Sequence, residues 1–425
     1  MYYKRLIEKE IQLDLEATAA VLVKGPKYCG KTTTCRLFSK SEISLTSSAT
    51  IDEVNGNPYI ALNGEKPRLI DEWEKAPEIF NLIKATVIGK GEYILTGSST
   101  PADKKMIQHN GAGRIVSLMM KPMSLYESLD SKGTISIKDL FDGKVEHFDD
   151  PNSEMTLEKA AFLVCRGGWP DSLGLDNEIA IRSTRNYYKG LFDFENIENE
   201  EFLSYYDDEF MKMNPDILKA VVKSYARNIS TEASLQTILR DVKANDRPTM
   251  YIDTLEKYID ALKKLYIIED MESWNPNLRS KTAIRSTPTR HFVDTSIACA
   301  ALNISPSDLL SQHNLFGYFF EDMAVRDLSI YTMYDGGKLY HYRDAKDREC
   351  DAIIKFDDGR WAAVEIKLGT LTSVNEGIAK LEAFVNDVDD TLMNKPCFKM
   401  ILTAYGYPRI TKEGIIIVPI NLLRP

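Results

Sequence analysis

A glycine-rich loop directly after a short apolar run constrains the fold of this chain more than any other feature. The run is AVLV (20 to 23), which is typical of a buried parallel strand. The loop, GPKYCGKT (25 to 32), fits the pattern G-x-x-x-x-G-K-[ST], and a helical stretch, TTTCRLFSK, follows it. This order predicts a site for the phosphates of a nucleotide, because the glycines let backbone N–H groups turn toward anionic oxygens.

The loop also predicts the cofactors. Lys31 is expected to reach the β- and γ-phosphates of ATP, and Thr32 is expected to ligate Mg²⁺. ATP and Mg²⁺ are therefore the predicted cofactors. The residues predicted to bind them from this loop are Gly25, Pro26, Lys27, Tyr28, Cys29, Gly30, Lys31, Thr32 and Thr33.

Two later apolar runs end in polar residues that suit the same site. LIDE (69 to 72) ends in two acids, and EYILTGSS (92 to 99) ends in small hydroxyl groups. At the carboxyl end of a strand, Asp71 is expected to hold Mg²⁺ through a water molecule and Glu72 to polarise the attacking water. Thr96 or Ser98 would then lie beside the γ-phosphate. Three such strands, with helical stretches between them, predict an α/β sheet with the nucleotide at its carboxyl edge.

Arg114 follows the third of these strands. An arginine here is expected either to touch the γ-phosphate of its own or a neighbouring subunit, or to be an ordinary surface residue. Contact with a neighbouring subunit would require a homo-oligomer.

The motifs GPKYCGKTTT, LIDEWEKAP, YILTGSS and GRIVSLMMKPMSLYE together resemble those of bacterial and archaeal AAA-type ATPases that carry a C-terminal domain of unknown function. That family usually shows GPRQVGKTT, LDE-[IV]-Q and GR-x₅-L-x-P-[LM]-S-x-x-E. The loop differs at 27 to 29 without losing the phosphate ligands. At 73 and 74, Trp-Glu replaces Ile/Val-Gln, so the resemblance assigns no role to these two positions. It continues through GGWP (167 to 170) and HFVDT (291 to 295), and it implies ATP binding and hydrolysis.

Composition limits the location and the partners of the chain. With 425 residues, 44% of them hydrophobic and 27% charged, several soluble globular domains are expected. No apolar run approaches the roughly 18 residues needed to cross a bilayer, and the six cysteines include no CxxC pair. These features predict a cytoplasmic protein with reduced thiols and no membrane contact. A net charge of −10 argues against a broadly basic surface for nucleic acid.

The middle of the chain is predicted to be helical. Residues 131 to 214 are expected to form a helical connection, with an irregular stretch up to about 157 and a solvated acidic block, DFENIENEEFLSYYDDE (193 to 209). Residues 215 to 300 show three helical patterns, the longest from 249 to 265, followed by a strand-like run, IIEDMESW. That order is typical of a winged helix-turn-helix.

The sequence of this middle module has features that argue for DNA binding and features that argue against it. Acids at 253, 256 and 260 on the longest helix would face phosphates poorly. A basic stretch with no acid between 274 and 293 favours DNA contact, and it contains Arg279, Lys281, Arg285 and Arg290. The alternative is a module for packing or for binding a protein partner.

Near the C-terminus, ECDAIIKFDDGRWAAVEIKLG (349 to 369) predicts a β-hairpin. If DDG is a three-residue loop with Gly359 in the left-handed region, Phe356 faces Arg360. A two-residue turn, Asp358-Gly359, would shift the register by one residue.

The three-residue loop would bring acidic side chains together. Asp351 then falls opposite Glu365, and Glu349 falls opposite Lys367. Two directly opposed carboxylates destabilise a plain sheet, whereas a divalent cation between them would reverse that effect. The two-residue turn would place Asp351 on the other face and remove the site.

The spacing D-x₁₃-E-x-K resembles that of the restriction-endonuclease-like, PD-(D/E)xK, fold. The resemblance implies that Asp351 and Glu365 hold Mg²⁺, that Lys367 is catalytic, and that Glu321 is the matching acid on the preceding helix. The alternative is a plain cross-strand ion pair between Glu349 and Lys367, with no metal.

These patterns predict an α/β multidomain chain in four segments. They are a P-loop AAA-type ATPase domain with a parallel sheet (1–130), a helical connection (131–214), a winged-helix-like domain (215–300) and a restriction-endonuclease-like α/β domain (301–425). The predicted function is ATP binding and hydrolysis, with a Mg²⁺-dependent nuclease or nucleic-acid-binding C-terminal domain. The alternatives are a nucleotide-dependent switch whose last domain only binds a protein or DNA partner, and an ATPase that acts on proteins.

Overall fold

Helices and strands alternate between residues 7 and 97 of the chain. The computed structural model describes residues 2–98, 113–145, 148, 153–192, 213–276, 284–389 and 391–425. The helices are α1 (Ile7–Ala17), α2 (Lys31–Cys35), α3 (Ser48–Gly56), α4 (Tyr59–Leu62), α5 (Glu78–Thr86), α6 (Ile137–Phe141), α7 (Leu157–Arg166), α8 (Asn177–Gly190), α9 (Pro215–Arg227), α10 (Leu235–Asn245), α11 (Ile252–Lys264), α12 (Thr295–Leu302), α13 (Pro306–Ser311), α14 (His313–Thr332) and α15 (Leu371–Asp387).

The strands form one parallel sheet, one mixed sheet and two short pairs. They are β1 (Ala20–Lys24), β2 (Ser41–Ser44), β3 (Arg68–Asp71), β4 (Tyr93–Gly97), β5 (Ile115–Met119), β6 (Ile135–Ser136), β7 (Ile268–Met271), β8 (Thr289–Phe292), β9 (Gly337–Arg343), β10 (Glu349–Phe356), β11 (Trp361–Lys367), β12 (Lys399–Thr403), β13 (Arg409–Ile410), β14 (Ile415–Pro419) and β15 (Leu423–Arg424).

The N-terminal sheet is wholly parallel, in the order β2-β3-β4-β1-β5. Its inner strands are almost entirely buried, which explains why AVLV and its counterparts are continuous apolar runs. The predicted parallel α/β sheet is confirmed. Because all strands run the same way, β1, β3 and β4 end at one edge, and the glycine-rich loop leaves β1 at that edge.

The middle of the chain is helical, as predicted. Helices α9, α10 and α11 are followed by an antiparallel pair, β7 with β8. The acidic block at 193 to 209 lies outside the described residues. The expectation of an irregular stretch after residue 130 was partly wrong, because β6 and α6 occur there and the Ser136 side chain caps α6.

The C-terminal sheet is mixed, in the order β13-β14-β12-β11-β10-β9. Strands β9, β10 and β11 are antiparallel, whereas β11, β12 and β14 are parallel. Helix α14 packs on one face of this sheet and α15 packs on the other. The site residues predicted for β10 and β11 are thereby held between two helices.

Residues 421 to 424 return to the segment after the N-terminal sheet. Strand β15 pairs with β6, and Ser131 Oγ donates to the Leu423 carbonyl at 2.6 Å. The backbone N–H of Lys132 donates to the Asn421 carbonyl at 2.8 Å. Within the described part of the chain, no helix combines the length and the apolar character needed to cross a membrane.

Candidate functional site

The two glycines of the loop meet different backbone requirements. A Cβ on Gly25 would lie 2.0 Å from the Met120 carbonyl oxygen, so no larger residue fits after β1. Gly30 has φ 98° directly before α2, a left-handed conformation that favours glycine. The loop therefore curls tightly between β1 and α2.

Lys31 lies inside this curl. Its Nζ donates to the carbonyl oxygens of Gly25 and Pro26 at 3.0 and 2.8 Å, and to Ser98 Oγ at 2.9 Å. The side chain is buried. All three acceptors are neutral, and a charged phosphate oxygen would be a stronger partner for the ammonium group. The position fits the predicted phosphate contact.

Thr32 and Asp71 come together from separate parts of the chain. Thr32 Oγ1 donates to Asp71 Oδ1 at 2.7 Å, and Thr96 Oγ1 donates to the same oxygen. Asp71 ends β3 and lies beside Thr96 of β4. One hydroxyl group and one carboxylate suit Mg²⁺, which takes few protein ligands and completes its shell with phosphates and water. The residues present therefore fit the predicted cofactors.

Glu72 and Ser98 border the same place. Glu72 is buried and has φ 58°, an uncommon conformation for a residue with a side chain. Ser98 Oγ donates to Glu72 Oε1 at 3.3 Å while it accepts from Lys31. Ser98 thus connects the predicted phosphate-binding lysine to the predicted catalytic glutamate.

Glu74 is a site residue to which sequence reasoning gave no role. Its Oε1 accepts the backbone N–H of Ser98 at 2.8 Å. Burial, and then the charge of Glu72, raises the pKa of Glu74 to about 8. Across the site, burial lowers the pKa of Lys27 to about 7. The acid beside Glu72 was visible in the sequence, but its contact with β4 was not.

Arg5 is a second residue missed by the sequence. Its Nη1 donates to the Cys29 carbonyl at 2.7 Å, and its Nε lies 3.0 Å from Glu127 Oε1. Both side chains are buried. Arg5 therefore stabilises the loop by contacts from its outer side. Nothing in the sequence around Arg5 indicated that role.

The remaining loop residues have varied surroundings. Cys29 is buried, whereas Tyr28 and Thr33 are exposed. Tyr28 packs edge-on against Tyr187 of α8, with ring centroids 5.9 Å apart. Lys27 and Tyr28 line a cavity of about 270 Å³ between the loop and α8.

The structure corrects the prediction for Arg114. It precedes β5, and β5 begins beside Ala20, the first residue of β1. Arg114 is therefore at the amino edge of the sheet, opposite the loop, and its guanidinium donates to the Lys84 carbonyl. A strand of five residues spans roughly 16 Å. Contact with the γ-phosphate of its own chain was a wrong prediction, and contact with that of a neighbouring subunit stays a prediction.

The C-terminal hairpin has the register expected for the three-residue loop. Ala352 pairs with Val364, and Gly359 has φ 88°. The N–H of Phe356 donates to the Arg360 carbonyl at 2.9 Å. The two-residue turn was the wrong alternative. Continued by one pair, this register sets position 351 opposite position 365.

Beyond the Ala352–Val364 pair, hydrogen bonds that involve side chains join the two strands. The N–H of Asp351 donates to Glu365 Oε1 at 3.3 Å, and the N–H of Ile366 donates to Asp351 Oδ2 at 2.8 Å. Lys367 Nζ lies between the two carboxylates, 2.8 Å from Asp351 Oδ2 and 2.6 Å from Glu365 Oε2. Burial opposes the charge of Lys367, but the two carboxylates raise its pKa.

This arrangement does not support the predicted metal set of Glu321, Asp351 and Glu365. Among the described residues, no group of three or more His, Cys, Asp or Glu side chains is placed to hold a metal ion. The Lys367 ammonium supplies the positive charge between the carboxylates instead. Burial, followed by the charge of Asp351, raises the pKa of Glu321 well above its ordinary value.

The alternative prediction, an ion pair between Glu349 and Lys367, was wrong. Glu349 pairs with Lys380 of α15, and Arg343 Nη1 lies 3.5 Å from its carboxylate. Lys367 turns to the two acids described above.

The predicted basic stretch is only partly a surface. Arg290 is buried, and its Nη1 lies 2.7 Å from Asp270 Oδ2, so it is not available to DNA. Arg285 pairs with Asp347 at 2.8 Å. Arg279 and Lys281 lie outside the described residues.

Three regions of the chain match known family models. Residues 17–129 match the model described as AAA domain. Residues 157–308 and 316–423 match two domains of unknown function, DUF8612 and DUF4143. The chain is also similar to uncharacterised proteins of Mycobacterium bovis and Mycobacterium tuberculosis. Each is 21% identical over 378 residues, which cover 86% of this chain and 74% of the relative.

Solved structures show weaker similarity. The Walker-type ATPase PABY2304 of Pyrococcus abyssi is 15% identical with a TM-score of 0.43, and the match covers 71% of this chain and 96% of that one. A STAND protein with a tetratricopeptide repeat sensor from Pyrococcus horikoshii is 12% identical with a TM-score of 0.19, and covers 78% and 46%. At these TM-scores neither structure adds to the assignment. Residues 17–129 are thus similar to an AAA domain, which supports ATP binding, and two regions that match domains of unknown function follow.

Proposed function

We propose that this protein binds and hydrolyses ATP at the carboxyl edge of its N-terminal sheet. The observation that carries the proposal is the meeting of Thr32 with Asp71 at 2.7 Å, beside the buried ammonium of Lys31. These residues lie in separate stretches of sequence, and each has the chemistry that its position requires. The match of residues 17–129 to an AAA domain supports the same assignment.

Each residue of this edge has a proposed task. Lys31 and the loop N–H groups bind phosphate oxygens, and Thr32 with Asp71 holds the cation. Glu72 orients the attacking water and accepts its hydrogen bond. Bound ATP would supply the bond that is broken, and Mg²⁺ would neutralise charge on its oxygens. Because Lys31 now bonds to the loop carbonyls, it must exchange these partners for phosphate.

Replacement of Lys31 tests this function. Lys31→Ala is expected to lower kcat for ATP hydrolysis by roughly 100-fold, because a preorganised positive charge is lost from the transition state. Lys40→Ala is the matched control, since Lys40 is exposed beyond α2. Steady-state phosphate release measures both. Hydrolysis by Lys31→Ala at the rate of the unaltered protein would show that the proposed site is wrong.

We further propose that the C-terminal domain has the restriction-endonuclease-like fold and acts on nucleic acid. Support comes from the order of elements, which is α14, then β9, β10 and β11, then α15 and β12. It also comes from the convergence of Asp351, Glu365 and Lys367 at one end of the hairpin. The alternative is that this domain binds its partner without cleaving nucleic acid. In that case Lys367 would stay between Asp351 and Glu365 permanently.

Cleavage assays separate these alternatives. Supercoiled DNA, linear DNA and RNA are incubated with Mg²⁺ or Mn²⁺, with and without ATP. Cleavage that is lost in Asp351→Ala and Lys367→Ala but kept in Lys355→Ala, an exposed lysine of β10, would support a nuclease. Absence of cleavage under all conditions, with ATP hydrolysis intact, would favour the binding role.

We also propose that the nucleotide state controls this last domain. A winged-helix module is proposed for the region that contains α9 to α11 with β7 and β8. DNA affinity with and without ATP, in the unaltered protein and in Lys31→Ala, tests the control. Equal affinity in all four cases would contradict it. A steep loss of affinity with added salt would identify a phosphate contact and would count against a purely protein partner.

A further inference from the structure

We propose that Glu74 is a positioning residue, which fixes Ser98 between Lys31 and Glu72 and thereby sets the rate of hydrolysis without touching the nucleotide. This inference rests on the ATPase function proposed above. It assigns a task to a residue for which the motif comparison gave none.

Ser98 is the residue through which Glu74 would act. The Ser98 hydroxyl accepts from Lys31 Nζ at 2.9 Å and donates to Glu72 Oε1 at 3.3 Å. The Ser98 backbone N–H donates to Glu74 Oε1 at 2.8 Å. Glu74 therefore holds the main chain of the residue whose side chain joins the phosphate-binding lysine to the catalytic glutamate. A shift of this main chain would move the hydroxyl away from one or both partners.

The position of Glu74 is fixed from two sides. Trp73 is buried and stacks on Phe80, with ring centroids 5.0 Å apart, which anchors the turn after β3. A Cβ on Gly97 would lie 2.7 Å from Glu74 Oε2 and 3.0 Å from Trp73 Nε1. The turn thus packs directly on the backbone of β4, and a glycine at 97 makes room for it. Close packing of this kind gives a single, well-defined geometry.

The surroundings of Glu74 favour its neutral form. Glu72 lies on the same turn and disfavours ionisation of Glu74, whereas the charge of Lys31, which faces Glu74 from the loop together with Lys27, opposes this effect. Burial and the charge of Glu72 keep the carboxyl group protonated at neutral pH, with its pKa raised to about 8. Above that pH, ionisation would place a second negative charge beside Glu72. An amide at this position would keep the acceptor oxygen without that charge.

Two substitutions separate positioning from plain packing. Glu74→Ala removes the acceptor of the Ser98 N–H, and kcat is expected to fall about tenfold while KM for ATP is unchanged. Glu74→Gln keeps the acceptor and is expected to retain kcat at pH 7. Between pH 7 and 9, kcat of the unaltered protein should fall further than kcat of Glu74→Gln, because Lys27 titrates in both proteins and Glu74 only in the first. Glu65→Ala, at an exposed glutamate, is the matched control.

Each other outcome would overturn the inference. An unchanged kcat in Glu74→Ala would show that Ser98 needs no support, and a raised KM with unchanged kcat would place Glu74 in nucleotide binding. If Glu74→Ala does not fold, the test depends on Glu74→Gln. Identical pH profiles of kcat for Glu74→Gln and for the unaltered protein would then overturn the inference. The ¹⁵N amide signal of Ser98 gives a readout without hydrolysis. The chemical shift of this signal should change near pH 8 in the unaltered protein and not in Glu74→Gln. Because this readout needs no hydrolysis, absence of ATPase activity would refute the proposed function without deciding whether Glu74 positions Ser98.

Discussion

Lys367 is a single residue that occupies the place expected for a metal ion. Its ammonium lies against two acidic side chains. One of them, Glu365, is fully buried, and burial, followed by the charge of Asp351, raises its pKa to about 8. Removal of one partner from such a group leaves the remaining buried charge uncompensated.

Lys367→Met is therefore expected to destabilise the C-terminal domain by about 3 kcal/mol. If the two carboxylates are able to take a divalent cation, Mn²⁺ should recover part of this loss in the variant. Urea denaturation with and without Mn²⁺ measures both effects. Lys355→Met is the control, because Lys355 is exposed on the same hairpin. Unchanged stability of Lys367→Met would contradict the bridging role.

At the scale of residues, sequence spacing was informative where it alone decides geometry. The register around Gly359 follows from turn chemistry, and the meeting of Thr32 with Asp71 follows from parallel strands that end at one edge. The sequence did not reveal that Lys367 folds back on the acids. The direction of a side chain depends on its burial and on neighbours from distant segments, such as α15. The spacing of residues in the sequence carries no information about either.

Among the helices and loops, a buried ionic network joins parts of the chain that are far apart in sequence. Arg326 of α14 donates to Asp294 at 2.7 Å and to Asp327 at 2.7 Å. Asp294 caps α12 and accepts the N–H of Gly168 at 2.9 Å. Asp327 accepts the N–H of Leu125 at 2.9 Å. Two loops and two helices are thereby held by one guanidinium group.

Arg326→Met is expected to lower the free energy of unfolding by about 3 to 5 kcal/mol, because it leaves two buried carboxylates without their cation. Arg247→Met is a suitable comparison, since the Arg247–Asp216 pair is solvent-exposed and should matter little. Guanidinium denaturation followed by tryptophan fluorescence measures the difference. Equal stability of the two variants would contradict the role of the network.

Element-level predictions depended on the length of the pattern. The strand, loop and helix at the start of the chain were predictable because the glycine-rich motif requires that order. The helical middle was predictable because long apolar periodicities specify it. Strands β6 and β15 have two residues each and give no periodic signal, so the segment after residue 130 was predicted to be irregular. The edge occupied by Arg114 depended on where β5 starts relative to β1, which periodicity does not specify.

At the scale of the whole molecule, the β6–β15 pair fastens the C-terminal sheet to the segment after the N-terminal sheet. Leu423 is fully buried in this joint. Leu423→Asp is expected to open it, because a carboxylate would be buried without a partner. Faster hydrogen exchange at residues 131 to 136 measures the opening. Tyr407→Asp, at an exposed position, is the control, and unchanged exchange in Leu423→Asp would contradict the expectation.

The same joint has a consequence for how the chain folds. Ser131 and Leu423 are 292 positions apart, so their bond closes a very long loop. Closure entropy grows only slowly with loop length, but non-local contacts form late because the chain must first find them. We therefore expect refolding to end in a slow phase, independent of protein concentration, in which residues 131 to 136 become protected last. The pair of β6 with β15 would form only after the N-terminal and C-terminal sheets.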